Sequence, residues 1–128
     1  MKENNNKKDN KILSNIIEAL SKHQDSAAVG VLEDVGTNCP SDEIRRLTAK
    51  ALIDRNTYDS LSVVIQRKGK GINDLNTSVA MSTINELLSL KDKSEVLKVL
   101  EEAEAKVEDE AIKETARSVK ALMAFSEA

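Results

Sequence analysis

Few side chains in this sequence could do chemistry alone, and those few stand apart. His23 is the one histidine and Cys39 the one cysteine among 128 residues. A zinc site needs several His, Cys or carboxylate ligands at set spacings, and a histidine relay needs a nucleophile and an orienting acid. His23 has no such company and reads as a group placed at the negative end of a helix dipole. Cys39 has no base beside it to raise its reactivity, and reads as a small residue ahead of Pro40. A lone thiol forms no internal disulfide, which fits a reducing compartment. The expectation is a chain with no catalytic residue, no metal ligand and no cofactor.

Two charge clusters remain. Arg67-Lys68-Gly69-Lys70-Gly71 sets Arg67, Lys68 and Lys70 on a glycine-rich segment where they could contact phosphate. The spacing is not the Gly-x-x-x-x-Gly-Lys-Ser/Thr that wraps a nucleotide. A helix C-terminus also collects cations, and glycine ends it, so a solvated helix end is the plainer reading. Glu101, Glu102 and Glu104, followed by Glu108, Asp109 and Glu110, form an acidic stretch. Glu102 with Lys106 and Asp109 with Lys113 are favourable i, i+4 pairs, the pattern of a solvated helix face. Tyr58 and Phe125, the only aromatics, suit packing between helices better than stacking on bases, since no basic residues interleave with them. A net charge of −3 and a pI near 5.3 supply no field to draw the whole molecule onto nucleic acid or an anionic membrane.

The elements that must position these groups read as helices. Apolar residues make up 40% and charged ones 32%, as in a folded domain with a solvated exterior. Four glycines and one proline are too few for the turns of an all-β chain. No run approaches the ~18 apolar residues of a membrane span. Residues 1–10 are Asn- and Lys-rich with nothing to bury, so a disordered tail and a cytoplasmic location are expected. From 11 to 128 one helical domain follows. Ile12, Ile16, Ala19 and Leu20 form the stripe of a first helix. Val29, Val31, Leu32 and Val35 mark a second, ended by Gly36 and Pro40. Ser41 caps a third running to Arg55, and Thr57 opens a fourth carrying Leu61, Val64 and Ile65. The fifth, from about Asn76, buries Val79, Ile84, Leu87 and Leu88. The sixth has an Asp92-x-x-Glu95 capping box and buries Val96, Val99, Leu100 and Ala103. The seventh buries Ile112, Ala116, Val119, Leu122 and Met123.

A nine-residue apolar pattern recurs in the odd-numbered helices, starting at Ile12, Ile44, Val79 and Ala111, with steps of 32, 35 and 32 residues. Periods in this range mark stacked helical units, each too small to cover its own apolar stripes. The stretch Asp42-Glu43-Ile44-Arg45-Arg46-Leu47-Thr48-Ala49-Lys50-Ala51-Leu52 resembles the first helix of a HEAT repeat, of the short prokaryotic HEAT-like (PBS-lyase-type) kind. Ile44 and Arg45 stand at the Val-Arg of that pattern, Ala49 at its second Ala, and Ala51-Leu52 at its Ala-Leu. Asp25 to Val35 and Asp92 to Leu100 resemble second helices. Only Arg45 keeps the arginine; Leu13, Ala80 and Ile112 occupy that place elsewhere.

The resemblance implies an all-α fold, a right-handed α-solenoid of HEAT-like helical hairpins with about seven helices, and a role in holding other proteins. In such stacks the second helices line the contact surface. Here their outward positions are Glu33, Asp34, Asp59, Ser62, Gln66, Glu95, Lys98, Glu101 and Glu102. The expected function is a non-catalytic protein-interaction scaffold with another protein as partner and no membrane. Two alternatives stand beside it: nucleic-acid binding through loop 67–71 with Lys7, Lys8 and Lys11, and an accessory subunit of a lyase-like enzyme. Lys113, Arg117 and Lys120 give the last helix a polar outer face, so a monomer is expected, with a dimer as the alternative.

Overall fold

The computed structural model describes the backbone of residues 2–127 and the side chains of 9–126. Among the described residues the chain is all-helical, with no strand. The helices are α1 (Lys2–Lys22), α2 (Ala27–Val31), α3 (Asp42–Arg55), α4 (Tyr58–Gln66), α5 (Thr77–Leu88), α6 (Ser94–Lys106) and α7 (Glu110–Glu127). α2 runs on into a π-helical turn, Leu32–Gly36, and Gly71–Asn73 forms a 3₁₀ turn ahead of α5. None of the described helices is long and apolar enough to cross a membrane.

Local chemistry sets most boundaries. Ser41 Oγ accepts from the Ile44 amide at 3.3 Å, and Thr57 forms a reciprocal capping box with Ser60. Asn76 Oδ1 takes the amides of Ser78 and Val79. Asn56 closes α3 in the left-handed conformation, a place its short polar side chain tolerates. The capping box expected at Asp92 and Glu95 does not form. The Asp92 carboxylate instead accepts from the amide and hydroxyl of Ser94, which hold it below the usual carboxylate range.

α1 already begins at Lys2, within the stretch 1–10 where composition predicts a disordered tail. That stretch holds no helix breaker, and Asn10 Nδ2 donates to Ser41 Oγ at 3.3 Å. The second helix is not regular α throughout. At its end Thr37 Oγ1 and Asn38 Nδ2 donate to the carbonyls of Glu33 and Asp34, four residues back. Gly36 has no left-handed backbone there. A glycine is required for a different reason: a Cβ would lie 2.0 Å from Thr48 Oγ1.

Packing follows a simple order of neighbours. α1 lies on α3, α3 on α5 and α5 on α7, while α4 lies on α6. α3 also packs on α4 and on the π-helical turn, and α6 on α7. The core between these helices is aliphatic: Leu32, Ile44, Leu52, Ile53, Leu61, Val64, Ile65, Leu87 and Leu100 are sealed from solvent. Each such side chain contributes roughly 1.5–3 kcal/mol of transfer free energy.

Three apolar faces differ from the sequence expectation. In α1 the residues that face the core are Leu13, Ile17 and Leu20, while Ile12 and Ile16 are 58% and 44% exposed. In the second helix Ala28, Val29 and Leu32 are buried, leaving Val31 and Val35 exposed. In α7 Leu122 turns outward, as does Phe125 at 80% exposure, so Phe125 does not pack between helices.

Candidate functional site

The surface on the second helices is best developed where α4 lies on α6. Tyr58, at the first turn of α4 and half exposed, donates its hydroxyl to Glu102 on α6. Gln66 Nε2, two turns further along α4, donates to the Val99 carbonyl at 3.1 Å and to Glu102 Oε1 at 3.4 Å. The hydrogen bond to Glu102 raises the Tyr58 phenol above an ordinary tyrosine, and the same bond lowers the Glu102 carboxyl. Both directions describe one state, a protonated phenol donating to an ionised carboxylate. Ser62 does not face outward as the sequence suggests. It is buried, and its Oγ donates to the Tyr58 carbonyl at 2.8 Å. Asp59, Lys98 and Glu101 are exposed, and Glu95 is half-buried. Counting Lys106, which also acts on the Glu102 carboxyl, these positions carry four carboxylates and two cations, with Tyr58 as the exposed aromatic.

Glu33 belongs elsewhere. Its Oε2 lies 3.1 Å from Lys70 Nζ and 3.4 Å from Arg67 Nε, so it fastens the basic loop to the π-helical turn. The cations expected to contact phosphate and the carboxylate expected to contact a partner therefore satisfy each other. Lys68 stays exposed beside them, as does Asp34 on the second helix. The loop itself is held close to α4: Gly71 has φ +60°, and a Cβ there would lie 2.3 Å from the Val64 carbonyl oxygen. The side chains of Lys7 and Lys8 lie outside the described residues.

Arg45 organises a cluster at the start of α3, next to the same loop. Its Nε donates to Asp74 Oδ2 at 3.0 Å, Nη1 to the Cys39 carbonyl at 2.8 Å, and Nη2 to Asp42. Asn76 Nδ2 joins Asp42 at 2.8 Å, and its amide joins Asp74 at 2.9 Å. The two carboxylates raise the Arg45 guanidinium further above its usual value, Asp74 contributing most. Asp74 is nearly sealed, at 4% side-chain exposure. The sequence marked Arg45, and Asn76 only as the start of a helix, but not Asp74; the available signal was a run of turn residues, Asn73-Asp74-Leu75-Asn76, just ahead of α5. At the far end of α3, Arg55 donates to the carbonyls of Leu20, His23 and Asp25, tying the end of α1 down.

His23 closes the turn after α1, its Nδ1 accepting from the Asp25 amide at 3.1 Å. Cys39 is half-buried and offers its carbonyl to Arg45. Among the described residues no group of three or more His, Cys, Asp or Glu side chains converges as metal ligands. A shallow groove of about 450 Å³ runs between α1 and α3, floored by Ile17, Leu47 and Ala51. Its rim charges, Glu18 with Lys22 and Lys50 with Asp54, pair within their own helices.

No family model, curated protein or solved structure matches this chain.

Proposed function

We propose that this chain is a non-catalytic protein-interaction module of HEAT-like type, a right-handed α-solenoid that presents the α4–α6 face to a basic segment of another protein. Support for the stack comes from the order of helix neighbours: α1, α3, α5 and α7 succeed one another in one row, and α4 and α6 adjoin in a second. Support for a HEAT-like kinship comes from Arg45, whose pairing with Asp74 joins α3 to the segment that opens the next hairpin. The observation that carries the functional reading is the α4–α6 face itself. Tyr58 is half exposed at the start of α4 and fixed by Glu102, and Asp59 and Glu101 on the same two helices are exposed. Exposed aromatic anchors serve recognition, and an excess of one charge sign sets partner choice and association rate. The module works in the cytoplasm in this reading.

Nucleic-acid binding through loop 67–71 is the weaker reading, because Arg67 and Lys70 already meet Glu33. No observation favours the accessory-subunit reading. The test is affinity capture from the source cells with the wild type and with Asp59→Lys/Glu101→Lys, two exposed positions outside the core. A protein with a basic segment, recovered by the wild type and depleted by about tenfold or more by the variant, supports the reading. Equal recovery by both overturns it.

A further inference from the structure

We infer that Glu102 receives a lysine of the partner's basic segment rather than an arginine, a specificity that rests on reading the α4–α6 face as the docking surface. Both donors that hold this side chain converge on one atom. The Tyr58 hydroxyl and Gln66 Nε2 each donate to Oε1, Gln66 from 3.4 Å. They come from the two ends of α4, Tyr58 at its first residue and Gln66 at its last, so that helix sets which oxygen of Glu102 is used. A carboxylate oxygen offers about two lone-pair sites. Two donors therefore fill Oε1. Among the described residues no hydrogen bond or ion pair reaches Oε2, which is left as the acceptor for a partner.

The choice between the two cations is geometric. A guanidinium outdoes an ammonium on a carboxylate by laying two parallel N–H bonds across its two oxygens. With Oε1 already taken twice, one prong of that fork meets no acceptor. An ammonium is a compact charge and is satisfied by a single oxygen. The acceptor carries its charge, because the Tyr58 hydroxyl, the Gln66 amide and the charge of Lys106 all hold the Glu102 carboxyl low. Tyr58 and Gln66 are thus positioning residues: they act on the partner through the oxygen they occupy.

The half-exposed Tyr58 ring lies next to the same carboxylate and attracts cations of both kinds. Replacing tyrosine by phenylalanine keeps that ring and removes only the hydroxyl. Leucine at 66 removes the second donor. Tyr58→Phe/Gln66→Leu therefore reopens Oε1 and leaves every carboxylate and lysine of the face in place. The fork can then close, and arginine should gain.

The probes are two capped decapeptides, one alternating glycine with lysine and the other glycine with arginine. Each is titrated into the full ¹⁵N-labelled chain at one fixed low ionic strength, and the amides of Tyr58 and Glu102 are followed. The wild type should bind the lysine peptide at least as tightly as the arginine peptide. In Tyr58→Phe/Gln66→Leu the ratio of the two dissociation constants should move about threefold toward arginine, the worth of one modest net hydrogen bond. Tyr58→Phe and Gln66→Leu alone should each move it the same way, and they serve if the double variant does not fold. A general loss of structure would weaken both peptides and leave the ratio unmoved. Arginine preferred by the wild type overturns the inference. So does a ratio that fails to move toward arginine in the variants, and so does a face whose amides respond to neither peptide. Capture from the source cells with Asp59→Lys/Glu101→Lys leaves Glu102 untouched and judges the docking reading separately, so an arginine preference strikes this inference and leaves that reading standing.

Discussion

Gly69 and Gly71 lie two residues apart in the same loop, and replacing each with alanine separates backbone strain from close packing. Both have positive φ, +75° and +60°. An alanine Cβ at 69 would meet nothing within 4 Å, whereas at 71 it would lie 2.3 Å from the Val64 carbonyl oxygen and 2.4 Å from its Cα. Gly69→Ala therefore carries only the left-handed penalty, about 1 kcal/mol. Gly71→Ala adds the cost of forcing the 3₁₀ turn off α4, about 1–3 kcal/mol more, for a sum near 3 kcal/mol. A chain of this length unfolds with an entropy of roughly 0.27 kcal/mol/K, from about 2.1 cal/mol/K per residue. The expected loss in thermal midpoint is then about 4 °C for Gly69→Ala and about 11 °C for Gly71→Ala. Differential scanning calorimetry, with urea unfolding as a check that the m-value holds, reads both. Equal losses at the two positions would refute the close seating of loop 67–71 against Val64, and with it the placement of Arg67 and Lys70 beside Glu33.

Tyr58 is the only tyrosine, so its tyrosinate absorbance can be titrated directly: the midpoint should lie above that of an ordinary tyrosine and return to it in Glu102→Gln. The Glu102 carboxyl is lowered in the folded state, so its contribution to stability is present above the carboxyl's unfolded value and fades as pH falls through the folded one. Tyr58→Phe should therefore flatten the acid limb of a stability–pH curve, and an unchanged limb would contradict the hydrogen bond. Arg45→Met leaves Asp74 nearly sealed without its cation, and should cost about 2–4 kcal/mol in urea unfolding. Arg55→Ala should speed amide exchange at the end of α1, around Leu20 to Asp25, with little change in α6 and α7.

The sequence's punctuation was more legible than its faces. Ser41 and Thr57 are local devices, each satisfied within three residues, and the structure uses both as read; Asn76, read only as the approximate start of the fifth helix, caps it in the same way. The apolar periodicity located every helix but could not choose between adjacent stripes. Ile12-Leu13 and Ile16-Ile17 are apolar pairs, so one stripe runs through Ile12 and Ile16 and the next through Leu13 and Ile17. Both have helical spacing, and only the neighbour α3 decides which is covered. Val31 and Leu32 pose the same ambiguity on the second helix. Contacts between hairpins were beyond reach for a related reason. Glu33 and Lys70 are 37 positions apart, Tyr58 and Glu102 are 44 apart, and nothing local in either segment signals the other. Glu33 therefore looked like a free carboxylate and Arg67 and Lys70 like free cations. Thr48, which stands where the repeat pattern has alanine, turned out to seat its side chain against Gly36.

Hairpins piled in a row keep α1 and α7 apart, while a bundle wrapped about one axis brings first and last helices together. Spin labels at Glu18→Cys and Ser118→Cys in a Cys39→Ser background, diluted with unlabelled chain, measure that separation. Three helix-to-helix steps of 8–10 Å place the two helix axes roughly 24–30 Å apart, and an electron–electron distance in or somewhat above that range is the expected result. A distance near about 10 Å, the spacing of helices in direct contact, would contradict the stack and the interaction surface built on it.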